Sequence, residues 1–341
     1  MNENITKGLK DMGSGIKVGA RVDAGRLYPD KEVLAKIILR DFDVITATNY
    51  PAQWHGPKVY DLDHFNAWVN FGYENNLPLI MHMFAGPGHY FQKWIQDAKW
   101  NGPELMDLYF DYMRALMLTN DNYKKVYAWN VINEVFIAGG DGTYRDGEQC
   151  FLNLLGWEKD ESGCTGEDKI NDRHPIFVTK AFEFAGMYAK GKLELRDALF
   201  EFSPKMGHTR GMIQLIKHMR AKGIRCDAVG LQMHLYWKGD EEYDLDGFVE
   251  NVKRIHDLGC EVYVTELDIG LFNNDHDTQS RRYEEVFKAC RRAGVEQVHT
   301  WGVCDAIGHG WRHDEGAFLF DENYNEKPAY FAVANALKEK P

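Results

Sequence analysis

Short apolar or β-branched runs recur along this chain, each followed by a stretch whose apolar residues fall at helical spacing, and the alternation repeats eight times. That pattern builds a parallel sheet covered by helices. The runs that predict strands are 16–21 (IKVGAR), 43–48 (DVITAT), 78–84 (PLIMHMF), 126–133 (VYAWNVIN), 198–203 (ALFEFS), 227–234 (DAVGLQMH), 261–267 (EVYVTEL) and 297–303 (QVHTWGV). Between them, Ile213, Leu215, Ile216 and Met219 mark one amphipathic helix. Phe248, Val249, Val252, Ile255 and Leu258 mark a second, and Tyr283, Val286, Phe287 and Cys290 a third. Pro29 and Asp30 stand as a helix start ahead of Val33, Leu34, Ile37 and Ile38, and Gly223 and Gly259 stand where helices should stop.

A length of 341 residues would also accommodate two domains at roughly 150 residues each. Eight βα units with no linker-like boundary predict instead a single (β/α)8 TIM barrel of the α/β class over residues 1–341, with the spare length in loops. The largest loop, at about 137–174, is rich in Gly, Asp and Glu and is expected to form an excursion over one end of the barrel.

Charge narrows the partners. Forty Lys and Arg against 52 Asp and Glu give a formal net charge of −12, the wrong sign for holding nucleic acid or an anionic membrane by Coulomb attraction. No run approaches the roughly 18 apolar residues of a membrane span, and the first 20 residues lack the apolar region of a signal peptide. A neutral substrate fits better. Nine Trp and 17 Tyr exceed what a core of this size needs, and spare aromatic faces are what sugar rings stack on. The six cysteines show no zinc spacing, so no metal and no cofactor is expected; Cys150 and Cys164 flank the Gly-rich excursion and would pair only in an oxidising compartment.

In such barrels the chemistry sits where strands run into their following loops. The polar residues there are Thr48 and Asn49, His82, Asn133 and Glu134, Gln232 and His234, Glu266 and Asp268, and Trp301 and Asp305. Glu134 and Glu266 each close an apolar run, a partly desolvated place that raises a carboxyl pKa unless cations or donors offset it. Two carboxyls at one mouth of one barrel can flank a glycosidic bond. A separation of about 5.5 Å supports double displacement through a covalent glycosyl-enzyme, whereas about 6.5–9.5 Å leaves room for an inverting water. Each Glu taken singly also fits a plain rim salt bridge.

Asp268 lies two residues after Glu266, so on a continuing strand both side chains share a face. A chain Asp268–His234–Glu266 would then keep Glu266 ionised and leave Glu134 to carry the proton. Trp301 and Trp311 are either core or sugar platforms, and the Gly- and His-rich setting of Trp311 (IGHGWRH) favours a platform. No GxSxG, P-loop or helix-opening GxGxxG is present, and FAGPGH (84–89) is too short a glycine run to cradle a phosphate, so the esterase, nucleotide and dinucleotide readings lose their main support.

WNVINEVF (129–136), GLQMHL (230–235), VTELDI (264–269) and, across 301–330, Trp301, Asp305, the Trp311-Arg312 pair and LFDENYNEKPAY resemble the signature blocks of glycoside hydrolase family 10, the retaining endo-β-1,4-xylanases. The resemblance implies a (β/α)8 barrel and a two-step retaining mechanism, with Glu134 as general acid/base and Glu266 as nucleophile. It implies that Asn133 binds the 2-hydroxyl at the cleavage point, that Gln232 and His234 surround the nucleophile, that His82 holds the same sugar, and that Trp301 and Trp311 wall the glycone side. It also implies a polysaccharide or oligosaccharide partner and a secreted or periplasmic address; a monomer is expected.

Three segments depart from the family pattern. TATNYPAQW (46–54) keeps Asn49 and Trp54, but Thr48 replaces an acid and no Lys is present. HMFAGPGH (82–89) loses a tryptophan and gains two residues, and LFEFSPKMG (199–207) stands where an Asn-Asp-Tyr-Asn segment is expected. All three fall on the glycone side. The expected activity is therefore xylan hydrolysis with altered subsites; the alternatives are hydrolysis of another β-linked glycan or of short or decorated chains, and a carbohydrate-binding protein without turnover.

Overall fold

The computed structural model describes residues 7–338 except 14, 24–31, 50–53, 88–90, 139, 146–154, 204–205 and 236–242. Eight parallel strands close on themselves: β1 Lys17–Asp23, β2 Val44–Thr48, β3 Leu79–Ala85, β4 Ala128–Asn133, β5 Lys192–Asp197, β6 Ala228–Leu231, β7 Glu261–Ile269 and β8 Gln297–Thr300. Each pairs with the next, and β1 pairs with β8 in the register Lys17↔Gln297 to Ala20↔Thr300, which leaves no barrel edge open.

The longer helices alternate with the strands: α1 Glu32–Asp41, α2 Asp63–Glu74, α3 Gly102–Leu118, α4 Ile176–Tyr188, α5 Gly207–Ala221, α6 Leu245–His256, α7 His276–Ala293 and α8 Pro328–Lys338. Local chemistry sets their ends. Asn101 and Glu104 form a capping box on α3, Asp244 accepts the Gly247 N–H at the start of α6, and Asp275 accepts the Thr278 N–H at the start of α7. Gly223 and Gly259 follow α5 and α6 with φ of 73° and 71°, conformations that favour glycine.

Most of the core lies between the outward faces of the strands and the helices. A second apolar cluster, Val44, Ile80, Ala128, Ala228 and Tyr263, takes one residue from near the start of each of five strands and plugs the barrel's N-terminal end. Chain ends are tied by Asp41, whose carboxylate accepts from the Leu9 N–H and the Tyr330 hydroxyl. Within the excursion, Trp157–Lys159 and Arg173–Pro175 form an antiparallel hairpin.

One strand lies elsewhere than the apolar pattern predicts. The fifth strand is Lys192–Asp197, not 198–203, and the latter segment is irregular, with Leu199 at φ 58°. β5 reads KLELRD: its leucines face the helices, and Glu194 and Arg196 point into the barrel. An apolar-run criterion passes over such a strand and selects the more apolar loop after it. The Pro29–Asp30 helix start, Cys150 with its proposed pairing to Cys164, and parts of the 82–89 and 137–174 loops lie outside the described residues.

Candidate active site

The C-terminal ends of β3 to β8 converge on one polar floor. β4 ends at Asn133, and Glu134 follows with φ 55°, a left-handed conformation that an L side chain adopts at a cost. Its N–H donates to the Arg196 carbonyl, and the Phe136 N–H donates to Asp197 Oδ2 at 3.1 Å, so the end of β5 sets where Glu134 projects. Glu134 Oε1 accepts from Gln232 Nε2 at 3.1 Å and from Asn133 Nδ2 at 3.2 Å. Arg145, from the excursion, reaches Oε2 at 3.5 Å. Burial raises the Glu134 carboxyl above the usual carboxylate range; the Gln232 hydrogen bond opposes that, while the nearby charges of Asp197 and Glu266 add to it.

Glu266, on β7, is the opposite case. His234 Nε2 donates to its Oε2 at 3.1 Å, and Arg196 Nη1 donates to its Oε1 at 3.1 Å. Burial works against the charge, but the His234 hydrogen bond and the Arg196 cation outweigh it and hold the pKa at about 2. His234 Nδ1 meets Asp268 Oδ2 at 2.9 Å, and Arg312 Nη1 meets Asp268 Oδ1 at 2.7 Å, so Arg312, Asp268, His234 and Glu266 form one connected chain. Burial also opposes the charge on His234; the carboxylates of Asp268 and Glu266 overcome it and raise the imidazole to about 10. His234 is thus a cation at neutral pH, with both nitrogens donating.

Gln232 and His234 reach the site because β6 ends at Leu231 and the chain pairs with β7 again only at His234. Met233 adopts φ 62°, with its N–H held by the buried Glu201 carboxylate at 3.0 Å. His82, on β3, is buried and kept neutral, its pKa lowered to about 3 by burial and by the Arg196 charge. Its ring meets Trp301 edge-on at 5.1 Å. Trp301, just past β8, is buried beneath the guanidinium groups of Arg21 and Arg196, at 5.4 and 5.8 Å from its ring centroid, and forms floor rather than wall. Trp311 is 52% exposed and stands edge-on to His234 at 5.4 Å, on the rim.

The strand-two side lies deeper. Asn49 is buried and its amide donates to the Tyr112 hydroxyl at 3.0 Å; Trp54 is buried as well, stacked on Tyr112 at 5.0 Å. Beside them the Arg21–Asp23 ion pair at 3.1 Å closes β1, and Arg21 also reaches Thr48 Oγ1 at 3.4 Å. Asp305 is held in an ion pair with Lys327 at 2.8 Å.

Sequence reasoning missed Glu194, Arg196 and Asp197, because it set β5 too late, and Arg145, one of four cations in a long acidic loop. The signal available for the first three was the strict i, i+2 spacing of Glu194 and Arg196 immediately before Asp197.

Away from the mouth, the fold gathers Asp160, His174 and His218. His174 lies between the Tyr144 hydroxyl and Asp160; His218 Nδ1 accepts the Glu161 N–H at 3.0 Å, which leaves its proton on Nε2, 3.1 Å from Glu158. A neutral imidazole has a single lone pair, and that of His218 is already engaged. The trio serves as a hydrogen-bonded tie between the excursion and α5.

A closed (β/α)8 barrel that sets two carboxyls at its C-terminal mouth, one pushed up by burial and one held ionised, defines a glycoside-cleaving class of protein. The sequence profile of glycosyl hydrolase family 10 matches residues 7–336, and the chain belongs to that family. Endo-1,4-beta-xylanase B of Thermotoga neapolitana is 25% identical over 326 residues, covering 92% of this chain and 85% of its own. Other relatives are longer: the chain spans 30% of Exoglucanase XynX of Acetivibrio thermocellus, at 24% identity. Among solved structures, native xylanase 10B of Thermotoga maritima superposes with a TM-score of 0.79 at 24% identity, covering 97% of this chain and 98% of its own. The xylanase 10B of Thermotoga petrophila RKU-1 in complex with xylobiose gives the same TM-score at 23% identity, covering 99% and 98%. At these identities the structures establish the shared fold.

Proposed function

We propose that the chain is a retaining, endo-acting β-1,4-xylanase whose catalytic unit is this one barrel, acting as a monomer on xylan-type polysaccharide. Glu134 protonates the leaving glycosidic oxygen while Glu266 attacks the anomeric carbon to form a glycosyl-enzyme; Glu134 then takes a proton from the water that releases the sugar. Asn133 holds the 2-hydroxyl, Gln232 and His82 line the reacting sugar's pocket, Trp301 lies beneath it and Trp311 stacks on a sugar at the rim. The observation that carries this reading is the opposed electrostatics of the two glutamates, one pushed up by burial and the other held at about 2 by Arg196 and His234.

The test is reducing-sugar release and product sizing on xylans, mixed-linkage glucans and β-mannans, with NMR of the first-formed anomer. Mixed-length products from xylan, released first as the β-anomer, are expected. An α-anomer would overturn retention, and binding without turnover on every polymer would overturn hydrolysis. A second reading, activity on another β-linked glycan or on short or decorated chains, is favoured by the burial of Asn49 and Trp54 and by the Arg21–Asp23 pair beside Thr48. Turnover confined to a polymer other than xylan would select it.

A further inference from the structure

β5 sends two charges into the barrel interior for which the acid/base and nucleophile roles leave no task. Glu194 and Arg196 are both fully buried. Arg196 Nε and Nη2 donate to Glu194 Oε1 and Oε2 at 2.7 and 3.2 Å, a two-point pairing that fixes the guanidinium plane and aims Nη1 at Glu266 Oε1. Space for the pair comes from β6, where a Cβ on Gly230 would lie 2.3 Å from Glu194 Oε1 and 2.9 Å from Arg196 Cγ. Barrel filling alone does not call for this arrangement, since well-packed apolar side chains of similar volume fill a core as well as a buried ion pair or better. The free end of the fork falls on the one Glu266 oxygen that His234 does not hold.

We propose that Arg196, fixed by Glu194, is a positioning residue that orients the Glu266 carboxylate and makes it the better leaving group when the glycosyl-enzyme breaks down. The inference rests on Glu266 being the nucleophile. In the second step the water oxygen bonds to the anomeric carbon, Glu134 takes its proton, and the bond from that carbon to the Glu266 oxygen breaks with its electron pair returning to Glu266. The ester is uncharged and the freed carboxylate is charged, so the pull of Arg196 is weakest in the intermediate and full once it has broken down. Arg196 therefore moderates glycosylation and speeds deglycosylation. Among the described residues, the other charged or titratable groups that act on Glu266 are His234 after β6, His82 from β3 and Glu134 after β4, with Asp268 behind His234 and Arg21 across the Trp301 ring.

The experiment compares the wild type with two variants: Glu194→Gln/Arg196→Gln, which removes both buried charges together, and Glu194→Gln alone, which leaves Arg196 with Glu266 as its main ionic partner. Stopped-flow turnover of 2,4-dinitrophenyl β-xylobioside reads the two steps, and ¹³C NMR of carboxyl-labelled glutamate, assigned with Glu266→Gln, reads Glu266 without needing turnover. In the double variant the Glu266 midpoint should rise by about one to three pH units. The dinitrophenyl leaving group makes the first step fast, so the wild type shows a burst; in the double variant breakdown of the intermediate should slow about tenfold or more and the burst should grow toward the enzyme concentration. Glu194→Gln should move both readouts the opposite way. If the double variant does not fold, the single one decides: a burst that is unchanged or larger overturns the proposal. Equal slowing of both steps with an unmoved Glu266 midpoint also overturns it, as a merely structural role. A wild type that turns over no glycoside, with the NMR shift intact, would instead refute the assignment of Glu266 as nucleophile, and the leaving-group role with it, while the Arg196–Glu266 contact would stand.

Discussion

Glu134 and Glu266 are chemically identical side chains made unlike by their neighbours. Glu266 is met on both oxygens by cations, Arg196 and His234, whereas Glu134 Oε1 takes neutral amides and Oε2 only a distant Arg145. Such divergence is what the proposed acid and nucleophile roles require. Replacing Glu266 by Ala should lower turnover of xylan by about 10⁴-fold or more, as with other nucleophile deletions, and leave binding of xylo-oligosaccharide in place by calorimetry. Near wild-type turnover would remove Glu266 from the mechanism. Trp311 offers a different test, because half of it is exposed and its burial contributes little to stability. Trp311→Ala should raise KM for oligosaccharides by several-fold, the worth of one aromatic face, with kcat and Tm nearly unchanged. A KM that does not move would show that the rim ring stacks on nothing.

Among the elements, β5 governs the site although it supplies neither glutamate. Its last residue, Asp197, accepts the N–H groups of Phe136 at 3.1 Å and Ala198 at 2.8 Å, and so anchors the turn that aims Glu134. Asp197→Ala should keep the barrel folded and lower kcat by about 10²-fold with little change in KM, the signature of a group displaced by about an ångström. A matching loss at both the acid/base and the binding level would point to general unfolding instead, which a thermal melt would reveal. This strand also marks the limit of what the sequence makes legible. Most strands reveal themselves through β-branched or apolar residues, on both faces in VITAT and EVYVTEL and on the helix-facing side alone in KVGARVD and QVHT. β5 carries its apolar residues on one face only, and its inward charges read as loop. The candidate site was legible wherever a polar residue that lines the mouth closes an apolar run, as at Glu134, Gln232, His234 and Glu266. It was hidden where the partner comes from inside the barrel, as with Arg196, or from a long loop, as with Arg145. Trp54 shows the converse: a tryptophan kept in a family block can be bound into the core, here stacked on Tyr112.

For the whole molecule, the buried titratable groups fix how stability depends on pH, and their signs can be worked out. His82 and His299 are held neutral by burial with pKa values lowered to about 3, and His174 to about 4. Between those values and about 6.5 the unfolded chain binds a proton at each of these positions and the folded chain does not, so stability falls as the pH is lowered, by at most about 1.4 kcal/mol per pH unit for each. Glu266, lowered to about 2, and Asp160, also lowered to about 2, extend the loss below the ordinary carboxylate range. The raised carboxyls of Glu134, Glu201 and Asp305 act in the other direction and blunt the acid limb. On the alkaline side His234, raised to about 10, is protonated in the fold and neutral in the unfolded chain; its contribution is complete below about 6.5 and is lost as the pH climbs through about 10. The net expectation is a stability maximum near neutral pH that falls on both sides. Calorimetric Tm measured from pH 4 to pH 10 checks it, with two variants to separate the limbs. His299→Gln, whose amide can still meet Thr46 and Gln297, should flatten the acid limb and leave the alkaline limb alone. His234→Asn should flatten the alkaline limb. A wild-type Tm that keeps rising from pH 7 to pH 10 would show that His234 is not a cation in the folded barrel, and the low pKa of Glu266 would lose the support of that charge.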